Sequence, residues 1–251
     1  MSIVSPVSRR DCLALGAGLG AAWLGGPALA GAGKKIEVVA ELFSSQGCKS
    51  CPAADRLLGE IRSMPGVLAL TFHVDYWDYL GWKDTLASPE FSQRQYDYAK
   101  ARGDMDVFTP QMIVNGEKPM VGSQRSEVFA VLSQSRKAHW SASLDIANTA
   151  KEMVIEIGAG ETSEEATLWV MPVIDRTTVK IEKGEMAGRE VTYNNVVRKL
   201  VPAGVWKGEA ARIVLPKEGL MPPGATACVA LLQQGKAGPI LGCGCWGSLT
   251  S

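Results

Sequence analysis

Histidine is nearly missing from this chain of 251 residues: His73 and His139 are the whole supply. A histidine-rich metal site is thereby excluded, and a Ser-His-Asp triad would have to be built on one of these two. An excess of charge of either sign is missing as well, since 26 basic residues face 26 acidic ones. That balance gives no electrostatic footprint for nucleic acid. Cysteine is too scarce for a disulfide scaffold, with six in the chain, yet sufficient for redox chemistry. Past the first thirty residues no apolar run approaches the roughly 20 residues of a membrane-spanning helix. The chain is 46% hydrophobic and long enough to bury a large core in one domain or two.

The first thirty residues read as an export signal. Arg9-Arg10 precede a weakly apolar Gly/Ala/Leu stretch that ends in Pro27-Ala28-Leu29-Ala30, an A-x-A site with cleavage expected after Ala30. Ser8, the paired arginines and Leu13 resemble the twin-arginine signal. Cys12 and Ala14 stand where that signal usually has phenylalanine and lysine, so the general secretory route is the alternative. The expected location is periplasmic or secreted, where disulfides persist. The mature chain would keep Cys48, Cys51, Cys228, Cys243 and Cys245. Five is odd, so at least one is free or pairs outside the chain.

Residues 36–43 and 67–74 are short β-branched, apolar runs that predict buried strands. Between them Ala54, Leu57, Leu58 and Ile61 fall at i, i+3, i+4 and i+7, the face of an amphipathic helix. Ser88-Pro89 opens another helix that ends near Gly103. Residues 111–115 and 119–122 read as a hairpin around Asn115-Gly116, and Val128, Val131 and Leu132 mark a last helix. The order implies a mixed α/β sheet with helices on both faces. After His139 the pattern changes to short strands at 143–147, 151–157, 166–174, 177–182, 189–199, 210–215, 226–233 and 239–245. Such spacing suggests an antiparallel sandwich or small barrel. The expected division is a signal at 1–30, an α/β domain at 31–138 and a β-rich domain at 139–251.

The strongest chemical signal is Gly47-Cys48-Lys49-Ser50-Cys51-Pro52, between the first strand and the first helix. Unpaired N–H groups and the helix dipole favour a thiolate there. A second cysteine one turn on can resolve a mixed disulfide, and Lys49 would add cationic bias. A static disulfide or half of a zinc knuckle is the alternative, but no second C-x-x-C exists. Thr109-Pro110 heads the apolar strand after residue 110, where a proline implies an edge or a cis peptide.

Together these motifs resemble the thioredoxin superfamily. ELFSSQGCKSCPAAD, FHVDYWDYLGWKD and FTPQMIVNG are similar, further, to the secreted thioredoxin-like family called domain of unknown function 1223, over nearly the whole mature chain. The resemblance implies a thioredoxin-like domain with a helical insertion, followed by the β-rich domain. It also implies a cis Thr109-Pro110 facing the cysteines. The family label supplies no substrate.

Several further residues carry expectations. Glu41, in the strand leading to the cysteines, would be desolvated and is the candidate proton relay to the resolving thiol. The 58 residues between Cys51 and Pro110 include Tyr76, Trp77, Tyr79 and Trp82, read either as a docking surface or as packing of the insertion. His73 reads as a core histidine with Asp75 as partner. His139 carries no motif. Cys228 opposes residues 243–245 across a hairpin near Gly235, which predicts a disulfide to Cys243 or Cys245. The sharper alternative gives Cys243 and Cys245 a role in electron exchange with Cys48/Cys51 or in holding a soft ion such as Cu(I). The leading expectation is an exported thiol–disulfide oxidoreductase: Cys48 attacks, Cys51 resolves, Thr109 and Pro110 position the partner, and Glu41 assists. It needs no cofactor and acts on protein thiols, disulfides or small thiols. The competing class is a metal-binding or partner-binding protein without turnover.

Overall fold

The computed structural model describes residues 35–136, 139–247 and 249; the export-signal reading lies outside the described residues. Strands β1 (Val38–Ser44) and β2 (Val67–His73) are buried at every position. They pair in parallel from Val38↔Val67 to Ser44↔His73, and a parallel pair covered on both faces needs apolar residues in both directions. The crossover is helix α1 (Cys51–Ile61). Val38, Ala40 and Leu42 of β1 pack against Ala54, Leu58 and Ile61 of α1 and Leu132 of helix α3 (Arg125–Ser135). The alternate residues Val39 and Phe43 pack with Phe91 and Tyr98 of helix α2 (Pro89–Arg102). Each such apolar side chain, when fully buried, contributes roughly 1.5–3 kcal/mol.

Helix α2 begins as its sequence requires: the Ser88 hydroxyl accepts from the Glu90 N–H at 3.3 Å, with Pro89 in the first turn. Strands β3 (Gln111–Val114) and β4 (Lys118–Val121) form the expected hairpin, turning through Asn115 and Gly116 at φ 51° and 77°. The segment between β2 and α2 is mostly irregular, with one 3₁₀ turn at Asp78–Leu80.

The later strands are β5 (Leu144–Asn148), β6 (Glu152–Ile157), β7 (Ala166–Lys180), β8 (Glu190–Val197), β9 (Val201–Trp206), β10 (Ala211–Pro216), β11 (Ala227–Gln234) and β12 (Ile240–Trp246). Their sheet continues the first one. Nine strands run β12-β11-β7-β8-β2-β1-β3-β4, with β9 also on β7, while β10-β6-β5 form a separate sheet of three. The larger sheet runs across residue 139, since β8 pairs with β2. At the crossing the ladder is thin, with Thr71↔Val196 as its pair. Side chains reinforce it: the Thr71 hydroxyl donates to the Asn194 carbonyl at 2.9 Å, and Asn195 Nδ2 to the Ala69 carbonyl at 2.8 Å.

Two strands differ from expectation. β7 continues through Asp175-Arg176 because its second half pairs with β8 while its first half pairs with β11. β9 falls between the expected segments 189–199 and 210–215, and it contains Pro202 and Gly204. It forms because it pairs only with β7, and Pro202 sits where the β7–β9 register shifts, a place a proline tolerates. The small sheet lies over β7, β11 and β12, with Leu144, Met153 and Ile155 meeting Leu168, Ala230 and Leu232. Gly242 and Gly244 permit this approach: a Cβ there would lie 2.5 Å from the Ala142 carbonyl and 2.7 Å from that of Leu144. Among the described residues no helix is long and apolar enough to cross a membrane.

Candidate functional site

The chain leaves β1 at Ser44, turns through residues 45–50 and enters α1 at Cys51, so both cysteines sit at a helix N-terminus. Cys48 and Cys51 are joined as a disulfide with their Cα atoms 5.4 Å apart. Cys48 keeps 3% of its surface exposed and Cys51 none. The Ser50 hydroxyl lies 3.3 Å from Cys48 Sγ, and the Thr109 carbonyl oxygen 3.8 Å from it. The Thr109–Pro110 peptide is cis, and the Pro110 carbonyl is held by the Gly122 N–H at 2.9 Å. Thus Cys48, Cys51, Thr109 and Pro110 come together. Lys49 does not lean on the sulfurs as expected: its ammonium pairs with Glu185 at 3.3 Å, both side chains exposed.

The aromatic segment forms one wall of this site. Trp77 Nε1 donates to Thr109 Oγ1 at 2.8 Å, and Trp82 Nε1 to Gln46 Oε1 at 2.7 Å. Tyr79 stacks near Trp77 with centroids 6.4 Å apart and is 77% exposed. The two tryptophans are thus tied into the site, whereas Tyr79 faces solvent.

Glu41 is buried, but on the other side of the sheet. It alternates with Leu42, so it shares the face of Val39 and Phe43 rather than the face that α1 covers. There its carboxylate takes a hydrogen bond from Arg94 Nε at 2.8 Å and another from the Tyr98 hydroxyl. Those partners, rather than a thiol, are the contacts of Glu41. The acid on the cysteine side is Asp55, one turn after Cys51 on the same buried stripe of α1. The Ser44 hydroxyl donates to Asp55 Oδ1 at 2.8 Å. Burial pushes this carboxyl up to about 7, with the His73 charge and the Ser44 bond acting against burial. Sequence reading passed over Asp55, although the i+4 spacing from Cys51 was a usable signal.

His73 is a buried histidine as expected, with a different partner. Its Nδ1 lies 2.8 Å from Asp84 Oδ2, whereas Asp75 takes a hydrogen bond from Ser92. Asp84 also accepts from the backbone N–H groups of Gln46 and Leu86, each at 2.8 Å. Burial opposes its charge, but the His73 imidazole and these bonds hold Asp84 below the usual carboxylate range.

The expected hairpin disulfide is absent: Cys228, Cys243 and Cys245 are all free. The reason is register. Cys228 stands opposite Trp246, and Cys245 opposite Val229, so Cys228 falls on the face toward the small sheet while Cys243 and Cys245 fall on the other. Burial pushes the Cys228 thiol up to about 12 and that of Cys245 up to about 11. These thiols do not meet Cys48 either. Cys243 and Cys245 line a cavity of about 630 Å³ with Lys35, Ile36, His139 and Trp140. That cavity lies at the end of β1 remote from the disulfide, about 25 Å of extended chain away.

A family model described as "Protein of unknown function (DUF1223)" matches residues 39–233. Among solved structures the chain is similar to the X-ray structure of a protein from Agrobacterium tumefaciens. The identity is 31% and the TM-score 0.73, covering 84% of this chain and 94% of that one. HBP35 of Porphyromonas gingivalis shares the fold at 13% identity and a TM-score of 0.56, covering 86% of this chain and 76% of its own. No curated protein matches the sequence.

Proposed function

The chain belongs to the DUF1223 family, and from that premise, which names no activity, we propose a thiol–disulfide oxidoreductase built on Cys48 and Cys51. The observation that carries this reading is the placement of Cys48 Sγ, at a helix N-terminus and 3.8 Å from the Thr109 carbonyl. The helix end favours the thiolate. Pro110 lacks an N–H, so the backbone beside the sulfur cannot donate there to its own sheet and is left to a partner chain. The reading includes a thioredoxin-like arrangement of β1 to β4 with α1 to α3, the 74–88 segment as an insertion and the later strands as an addition. It also includes an exported location. Partners are protein thiols, disulfides or small thiols.

In the reducing direction the Cys48 thiolate attacks a partner disulfide, forming one mixed S–S bond and releasing one partner thiolate, which takes a proton from water. Asp55 then accepts the proton of the Cys51 thiol. The Cys51 thiolate attacks Cys48 Sγ, closing the Cys48–Cys51 bond and expelling the second partner thiolate, which is protonated in turn. Two thiols are oxidised and one disulfide is reduced. The helix position of Cys48 and the i+4 placement of Asp55 after Cys51 on the buried stripe of α1 support these roles.

The test is trapping with glutathione as probe. Cys51→Ser protein, mixed with oxidised glutathione, should accumulate one glutathione adduct at Cys48 by mass spectrometry. Wild type should equilibrate within the range of the glutathione couple. A Cys48/Cys51 pair that stays oxidised far below that range, with no adduct in the variant, overturns the reading in favour of a static disulfide. For a metal-binding role, no group of three or more His, Cys, Asp or Glu side chains among the described residues is placed to hold a metal ion.

A further inference from the structure

We propose that Tyr79, carried beside Trp77 at the rim of the disulfide, selects the partner: a polypeptide with an apolar side chain near its cysteine, taken in preference to a small thiol. This rests on the thiol–disulfide reading of Cys48 and Cys51 and narrows its partners to one class.

Trp77 spans the two loops of the exchange site. A Cβ on Gly47 would lie 3.1 Å from the Trp77 Cβ, so the tryptophan sits directly against the residue before Cys48. Its Nε1 donates to Thr109 Oγ1 at 2.8 Å, and the Thr109 carbonyl oxygen lies 3.8 Å from Cys48 Sγ. Trp77 therefore borders the narrow opening through which a partner sulfur reaches Cys48, itself 3% exposed. The turn that follows is fixed as well. Asp78 Oδ1 accepts from the Asp84 N–H at 3.0 Å, and Gly81 closes the 3₁₀ turn at φ 90°. Tyr79 stands on that turn, its ring 18° from parallel to that of Trp77. At 77% it is the most exposed large apolar side chain among the described residues.

A tyrosine held on a fixed turn is an inexpensive anchor, because few rotatable bonds are frozen and a large apolar face is already in place. The rest of the rim suits a chain better than a small anion. The β1–β3 ladder ends at Phe43↔Gln111, so the Thr109 backbone lies beyond it and is open to an extended segment. Phe108, its neighbour in the chain, is partly buried and adds apolar surface. The Phe108 carbonyl accepts from Gln95 Nε2 at 2.8 Å, which fixes this stretch too. Lys49, the cation of the cysteine loop, is already paired with Glu185 at 3.3 Å. That leaves it little to offer the carboxylates of a molecule such as glutathione. In an extended partner, side chains two positions apart share a face. The residues two positions from the partner cysteine therefore turn toward the protein with it, where Tyr79 and Trp77 stand.

Two disulfide-linked peptide dimers serve as probes, identical except for phenylalanine or glycine two positions to each side of the cysteine. In reduced Cys51→Ser protein the Cys48 thiolate attacks the dimer, forming one mixed S–S bond and releasing one peptide thiolate, which takes a proton from water. Mass mapping follows the adduct at Cys48. The phenylalanine dimer should react about fivefold faster than the glycine dimer, and faster than oxidised glutathione. Tyr79→Ala, added to Cys51→Ser, should bring the ratio of the two dimer rates close to one. The ratio is the informative quantity, because damage to the fold slows both dimers and leaves it unmoved. Equal dimer rates with Tyr79 present, or a faster reaction with oxidised glutathione, overturn the proposal while the exchange reading stands. A ratio that survives Tyr79→Ala overturns it as well. No adduct at Cys48 with any of the three probes defeats the thiol–disulfide reading, and the choice of partner falls with it.

Discussion

Replacing Asp55 by asparagine should remove a pH dependence of stability that this one carboxyl imposes on the fold. Asp55 is 4% exposed, and burial raises it from the ordinary 3.8 to about 7. A carboxyl raised on folding binds its proton more tightly in the folded chain than in the unfolded one. Its contribution is therefore complete below pH 3.8, declines as the pH rises, and is lost once the pH has passed the folded value near 7. Three units at 1.36 kcal/mol each correspond to about 4 kcal/mol. Asparagine keeps an oxygen for the Ser44 hydroxyl and carries no charge, so it avoids this loss. Urea unfolding of the oxidised proteins at pH 4 and pH 8 checks the reasoning. The two should be nearly equal at the lower pH, and Asp55→Asn more stable by up to about 4 kcal/mol at the higher one. A difference that is the same at both values refutes the burial argument. The same substitution should slow adduct resolution at pH 7, so that the carboxyl is kept at a cost in stability.

Other consequences are accessible to simple assays. Arg94→Leu leaves the Glu41 carboxylate buried beside Tyr98 without its cation, and denaturant unfolding should show a loss of about 3–5 kcal/mol. Labelling of native protein with a thiol reagent at pH 8 should reach Cys245 before Cys228 or Cys243, in keeping with its partial exposure. Mass mapping of the oxidised protein should find no bond among these three. Gly244→Val drives a side chain into the Leu144 carbonyl, and thermal unfolding should report a loss of about 1–3 kcal/mol from separating β5 and β12.

Much of the architecture was legible because local rules and tertiary packing agree. The Ser88-Pro89 start of α2, the Asn115-Gly116 turn and the two buried strands around the C-x-x-C helix all formed where the pattern placed them. β9 was not legible, because Pro202 and Gly204 oppose a strand locally and only the free edge of β7 accepts one there. The continuity of β7 through Asp175-Arg176 was hidden for the same reason: pairing with β8 overrides two charged residues that read as a turn.

The sequence by itself determined that two cysteines stand at the N-terminus of a helix, because strand, spacing and helix are all encoded within a short stretch of chain. It also determined that Thr109-Pro110 opens an apolar strand. Which acid serves those cysteines was decided only in three dimensions. Glu41 and Leu42 are neighbours in sequence, yet a strand sends them to opposite faces, and α1 covers just one of those faces. Asp55 lies on a helix, His73 on a strand and Asp84 in a loop, and their burial, with the His73–Asp84 contact, exists only after α1 and that loop have packed on the sheet. Likewise Cys228 and Cys245 oppose each other across a hairpin to within one residue, and that one residue sends their sulfurs to opposite sides of the sheet.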